Sequence, residues 1–178
     1  MGRDDGTFAL AQALVERIDR PLLVDADGLN ALAAAQLGPA ARRTAPLVLT
    51  PHAGELGRLL DYGSREVEAR RLANAREAAS RASGIVVLKG DDTLVVGPGD
   101  PGPLAVSRGG SPALATAGTG DVLSGIVATF LAKGLSAFEA AAAGVLAHAR
   151  AGKLAAARHG ADHTVAGDVI DAIPEALR

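Results

Sequence analysis

The chain has 178 residues and a mass of 17.8 kDa, with 48% hydrophobic and 21% charged side chains, which suits one domain (1–178) with a sizeable core and excludes a disordered chain. A formal net charge of −2 with both signs interspersed, and aromatics at only 2%, argue against a nucleic-acid partner. With no cysteine there are no disulfides, thiolate metal sites or Cys nucleophiles, and no apolar run reaches the roughly 20 residues of a membrane-spanning helix; the expectation is a cytoplasmic protein with no membrane partner.

In chain order, a helical pattern through Leu10, Leu14 and Ile18 leads to a short buried strand, Pro21-Leu-Leu-Val-Asp-Ala26. An Ala-rich helical stretch near 28–36 precedes a second apolar run, Pro46-Leu-Val-Leu-Thr-Pro51. The Arg/Glu/Ala segment 64–82 reads as one exposed amphipathic helix. Ile85-Val-Val-Leu-Lys89, Gly90-Asp-Asp and Thr93-Leu-Val-Val96 read as two strands about a tight polar turn, with a further strand at Leu104-Ala-Val106. The last third is helical over 119–133, 136–158 and 166–177, with Gly134 and Gly160 as breakers. Strands without polar alternation, separated by helices, predict an α/β fold with a mostly parallel sheet covered on both faces.

The sharpest local feature is Ala117-Gly-Thr-Gly-Asp121 at the start of a helix. Two glycines let backbone approach a ligand closely, and the helix N-terminus turns free N–H groups and its positive dipole end into the loop. Asp121 in that first turn is suited to accept a proton from a substrate hydroxyl beside bound phosphates. The alternative is that Thr119 and Asp121 merely cap the helix. Neither a Walker loop nor a Rossmann fingerprint is present.

Leu114-Ala-Thr-Ala-Gly-Thr-Gly-Asp-Val-Leu-Ser-Gly125 resembles the signature of the ribokinase-like NAD(P)H-hydrate dehydratases. Val24-Asp-Ala-Asp-Gly-Leu-Asn-Ala-Leu32, Leu49-Thr-Pro-His-Ala-Gly-Glu-Leu56 and Val87-Leu-Lys-Gly-Asp-Asp-Thr-Leu-Val95 agree with that family in order and spacing, as does the closing Ala166-Gly-Asp-Val-Ile-Asp-Ala-Ile-Pro-Glu-Ala-Leu177. The resemblance implies a ribokinase-like three-layer sandwich that lacks the family's N-terminal strands. It also implies a reaction, repair of hydrated NADH or NADPH at the expense of ADP (or ATP) with Mg2+. Phosphoryl transfer to the hydrate's hydroxyl turns a poor leaving group into a good one.

By position in those motifs, the resemblance makes Asp121 the catalytic base and a substrate contact. His52 becomes a substrate-binding residue, and Gly2, in the tail of a glycine loop, another. Lys89, Gly90, Asp91, Asp92 and Thr93 match the stretch that wraps the adenine nucleotide, and Gly118, Thr119 and Gly120 complete the anion pocket. A simple turn with a solvated lysine is the plainer reading of 89–93. Glu55 is suited either to orient a metal-bound water or to cap the next helix. Asp25, Asp27 and Asn30 stand at a strand end, where they line a cleft or cap a helix. His148, His159 and His163 have no motif around them and receive no role. The run Ala140-Ala-Ala-Ala-Gly-Val-Leu146 reads as a close helix-packing surface or a subunit contact, and the family implies a homo-oligomer. Magnesium is expected to be held by phosphates and water, so no protein ligand to it is assigned. A ribokinase-like kinase of a small, thiamin-precursor-type alcohol would share the loop and the base, but the Thr-Pro-His-Ala-Gly-Glu motif and Asp at 121 weigh against it. An inactive nucleotide-binding fragment is the remaining alternative.

Overall fold

The computed structural model describes residues 5–108 and 110–178, so Gly2 lies outside the described residues. Five strands form one sheet in the order β1 (Leu22–Val24), β2 (Leu47–Leu49), β3 (Ile85–Leu88), β4 (Thr93–Val96), β5 (Leu104–Ser107). β1, β2 and β3 run parallel, in register Leu22 opposite Leu47 and Val48 opposite Ile85. β3–β4 and β4–β5 are antiparallel, so the sheet is mixed where the sequence suggested a mostly parallel one. The cause is local: four residues between β3 and β4 leave no room for a crossover, and only an antiparallel return fits.

Side-chain alternation along the strands builds a three-layer sandwich. Leu47, Leu49, Val86 and Leu88 face one layer of helices, made of α1 (Asp5–Arg17), α2 (Asp27–Ala34), α3 (Gly38–Ala41), α4 (Ala53–Leu60), α5 (Ser64–Ala69) and α6 (Arg71–Ala82). Val48, Ile85, Val87 and Val95 face the other, where α7 (Thr119–Ala132) and α8 (Ala137–His159) lie, with α9 (Ala166–Ala176) packed outside them. The Ala-rich run of α8 is a packing surface. Ala140, Ala141, Gly144 and Val145 are buried, and a Cβ on Gly144 would meet Val127 Cγ2 of α7 at 2.4 Å.

The segment read as one helix over 64–82 is two helices, broken at Arg70 (φ −138°, ψ 44°). No Gly or Pro marks the break. Asn74 Nδ2 donates to the Glu66 carbonyl at 3.2 Å across it, a side-chain bond that substitutes for the interrupted helical ladder. α6 then buries Asn74, Ala75, Ala78, Ala79 and Ala82 and leaves Arg76 and Arg81 outside. Among the described residues no helix is long and apolar enough to cross a membrane.

Candidate functional site

The parallel strands end on one side of the molecule, and each hands over directly to a polar residue: Val24 to Asp25, Leu49 to Thr50-Pro51-His52, Leu88 to Lys89. Ligands bind at this carboxyl edge in open α/β sheets. Lys89 Nζ lies 3.1 Å from Asp25 Oδ1 and 3.7 Å from Glu55 Oε2. Asp25 Oδ1 also accepts from the Ala26 N–H (2.8 Å), and its Oδ2 from Ser124 Oγ on α7 (2.7 Å). Burial pushes the Asp25 carboxyl up, but the Ser124 hydroxyl and the Lys89 ammonium outweigh it and hold the carboxyl below its usual range. Ala26, at φ 48° and ψ −119°, occupies backbone space that favours glycine, a local strain on the order of 1–3 kcal/mol that the carboxylate bond to its N–H helps to hold. Two carboxylates around one ammonium leave the cluster at formal charge −1. Lys89 is therefore a tie between strand ends more than a free cation.

Glu55, only 7% exposed, takes the capping alternative: its Oε2 accepts from the His52 N–H (2.8 Å). His52 returns the bond, its Nδ1 accepting from the N–H groups of Gly54 (3.0 Å) and Glu55 (3.2 Å). The His52 side chain is half exposed, and with Nδ1 an acceptor its other nitrogen, Nε2, carries the proton and lies 3.6 Å from Glu55 Oε1. Asn30 is placed by Asp27 (3.2 Å) and by Arg58 Nε, which donates to its Oδ1 (2.8 Å).

The glycine loop sits above Lys89. Gly118 holds φ +87°, a left-handed conformation that L side chains rarely adopt. Gly120 lies over the lysine: a Cβ there would stand 3.7 Å from Lys89 Nζ, an ordinary van der Waals contact. α7 begins with no side-chain cap, so neither the Thr119 nor the Asp121 side chain is spent on its first N–H groups; the Thr119 N–H donates to the Thr116 carbonyl (3.3 Å), and those of Gly120 and Asp121 stay available to an anion. The Thr119 hydroxyl is turned inward, 2.6 Å from the Leu114 carbonyl and 2.8 Å from that of Thr116.

Two cavities flank this loop. One, of about 670 Å3, is lined by Lys89, Gly90, Asp91, Asp92 and Thr93 on one side and by Thr119, Gly120, Leu123 and His148 on the other. The second, of about 600 Å3, is mostly apolar and lies between α7 and α9, with Gly118 and the exposed Asp121 at its edge. The structure thus gathers Lys89, Gly90, Asp91, Asp92, Thr93, Thr119 and Gly120 of the residues expected around a nucleotide into one cavity and puts Gly118, with Asp121, at the other. His52 lines neither.

Sequence reasoning assigned nothing to Ser124, Arg71 or His148. Ser124 stands three residues after Asp121 on the same helix, so the loop motif itself could have flagged it. His148 lies on the buried Ala/Gly stripe of α8, with Gly144 four residues before and Gly152 four after. It is 9% exposed and its Nε2 has no hydrogen-bond partner. Burial pushes its imidazole down to about 4, against the opposing pull of a backbone hydrogen bond to Thr119. Among the described residues no group of three or more His, Asp or Glu could hold a metal ion.

An open sheet with a glycine loop at an uncapped helix N-terminus, above three polar strand ends, is the layout of ribokinase-like α/β proteins. A ribokinase-like superfamily protein from Enterococcus faecalis is 26% identical and superimposes over 98% of this chain and 59% of that one, with a TM-score of 0.81. The chain belongs to the NAD(P)H-hydrate dehydratase family, whose model matches residues 1–175. The bifunctional NAD(P)H-hydrate repair enzyme Nnr of Thermofilum pendens is 40% identical over 178 residues, which are 100% of this chain and 33% of that protein. The ADP-dependent (S)-NAD(P)H-hydrate dehydratase of Xanthomonas campestris is 38% identical over 177 residues, 99% of this chain and 58% of its own length. The Bacillus subtilis ADP/ATP-dependent NAD(P)H-hydrate dehydratase, co-crystallised with ATP and Mg2+ and soaked with CoA, has a TM-score of 0.82 at 26% identity, covering 99% of this chain and 62% of that one. The chain therefore spans between a third and about three-fifths of the length of these relatives.

Proposed function

We propose that this protein takes part in the ADP-dependent dehydration of hydrated NADH and NADPH. The observation that carries the reading is the pair of cavities on the two flanks of one loop, the Lys89–Thr93 turn facing the first and Asp121 the second. In this reading ADP or ATP lies in the first cavity between the turn and Thr119 and Gly120, with Gly118 shaping the loop from its other side. Its phosphates meet the uncapped N–H groups of α7, which carry the anion because Lys89 is already balanced by two carboxylates. The hydrated nicotinamide nucleotide reaches Asp121 from the other side, and His52 and Gly2 contact it by their places in the family motifs.

Asp121 takes the proton of the ring hydroxyl as that oxygen forms a bond to the terminal phosphorus of ADP. The bond between that phosphorus and the AMP oxygen breaks, and AMP leaves with the electron pair. Phosphate then departs from the ring carbon with its C–O pair. A proton lost from the neighbouring carbon leaves its own pair to restore the double bond, so the elements of water end in phosphate. Magnesium, when bound, neutralises charge on the transferring group; Asp91 and Asp92 at the cavity wall suit an ion held chiefly by phosphates and water. A cytoplasmic location and a homo-oligomeric state belong to this reading through the family resemblance alone.

The test is product identity. Incubation with hydrated NADH, Mg2+ and ADP yields AMP, free phosphate and NADH in equal amounts. A stable phosphoester of an added alcohol, with no NADH restored, would instead make the chain a small-molecule kinase.

A further inference from the structure

Arg71, the first residue of α6, reaches under the turn between β3 and β4. Its Nη2 donates toward the carbonyls of Leu88 (3.3 Å), Lys89 (3.3 Å) and Asp92 (3.1 Å), while Nη1 pairs with Glu68 (2.9 Å). One guanidinium thus gathers carbonyls from both arms of the turn. The space it occupies is the space a side chain at 90 would need: a Cβ on Gly90 would meet Arg71 Nη2 at 2.5 Å and Nη1 at 2.9 Å. Gly90 carries no left-handed φ, so its smallness serves the guanidinium and not the backbone. Within a planar trans peptide the C=O and the following N–H point in opposite directions. Drawing the Lys89 carbonyl down onto Arg71 therefore turns the Gly90 N–H to the side away from it. Lys89 itself is fixed by its own N–H, which donates to the Pro51 carbonyl at 2.8 Å. Every turn residue from Lys89 to Thr93 lines the first cavity.

We infer that Arg71 is a positioning residue for the nucleotide: locked against Gly90, it sets the peptide orientation that the turn presents to an adenine nucleotide. The inference rests on the reading of the first cavity as the nucleotide site. ADP titrated calorimetrically into the full chain, well below its melting temperature, tests both. Arg71→Met raises the ADP Kd about tenfold, the loss expected for hydrogen bonds to a charged donor. Arg71→Lys recovers part of it, and binding of hydrated NADH stays within about twofold in both. Gly90→Ala, which displaces the guanidinium without removing it, raises the Kd by a similar factor. In the Arg71→Met background the same alanine costs much less, because the atoms it displaces are gone. Should Arg71→Met fail to fold, Gly90→Ala and Arg71→Lys carry the test. An ADP Kd unchanged in folded Arg71→Met or in Gly90→Ala, or full additivity of the two, overturns the inference while leaving the nucleotide reading intact. No ADP binding by the unaltered chain overturns both.

Discussion

Ser124 Oγ donates to Asp25 Oδ2 at 2.7 Å, joining residues 99 positions apart in the chain. The bond ties the end of β1 to the helix that carries Asp121, one turn before Ser124. The other oxygen of the same carboxylate holds Lys89 and, through it, the end of β3.

Removing the charge at this junction should loosen several elements together. Asp25→Asn leaves Lys89 with Glu55 at 3.7 Å as its remaining ionic partner and costs about 1–3 kcal/mol, measured by urea unfolding at neutral pH. The folded carboxyl titrates below its unfolded value near 3.9, so its stabilisation is full above that pH and is lost as pH falls through the folded pKa. The gap between wild type and Asp25→Asn should therefore narrow only below about pH 4.

Asp121 sits at the second cavity, exposed and free of capping duty. Asp121→Asn should lower the rate of NADH recovery by about 10²–10⁴-fold, the usual worth of a general base. Its ADP Kd should stay within about twofold, since the residue does not line the first cavity. Stopped turnover with unchanged nucleotide affinity is the expected pattern.

His148 makes the fold sensitive to mild acid. Its imidazole is held neutral down to about 4, whereas an unfolded chain protonates it near 6.5. Between those values the unfolded state binds the extra proton, so the contribution of His148 to stability rises with pH across the window and is level outside it. The full difference is about 3 kcal/mol. Urea unfolding from pH 7 to pH 4 should show that loss in wild type and much less of it in His148→Leu.

Gly144 permits the close approach of α8 to α7. Gly144→Ala places a methyl 2.4 Å from Val127 Cγ2, and overpacking of this kind should destabilise by about 1–3 kcal/mol despite alanine's better helix propensity. A lower melting temperature would show it. An increase would mean that the helices separate freely there.

The strands were legible because Leu47–Leu49 and Ile85–Leu88 are unbroken apolar runs, and the hairpin because Gly90-Asp-Asp punctuates it. The break at Arg70 was not, because an asparagine side chain stabilises it where glycine or proline would have announced it. The loop Gly118–Asp121 declares itself locally through its two glycines and their spacing. Arg71, in contrast, meets the turn across 17 to 21 residues, and His148 reaches the cavity only through the packing of α8, so neither leaves a local signal. Thr119 shows the reverse limit: its place beside the anion site was legible, while the inward turn of its hydroxyl depends on where the Leu114 carbonyl falls.

The measurement that bears most directly on the account follows reduced-nicotinamide absorbance after the chain is mixed with hydrated NADH, Mg2+ and ADP or ATP in separate reactions. Nucleotide-dependent dehydration with Asp121 as the base predicts that absorbance returns only when nucleotide is present and that Asp121→Asn slows the return by about 10²–10⁴-fold. No recovery with either nucleotide, or recovery that survives Asp121→Asn undiminished, would contradict it.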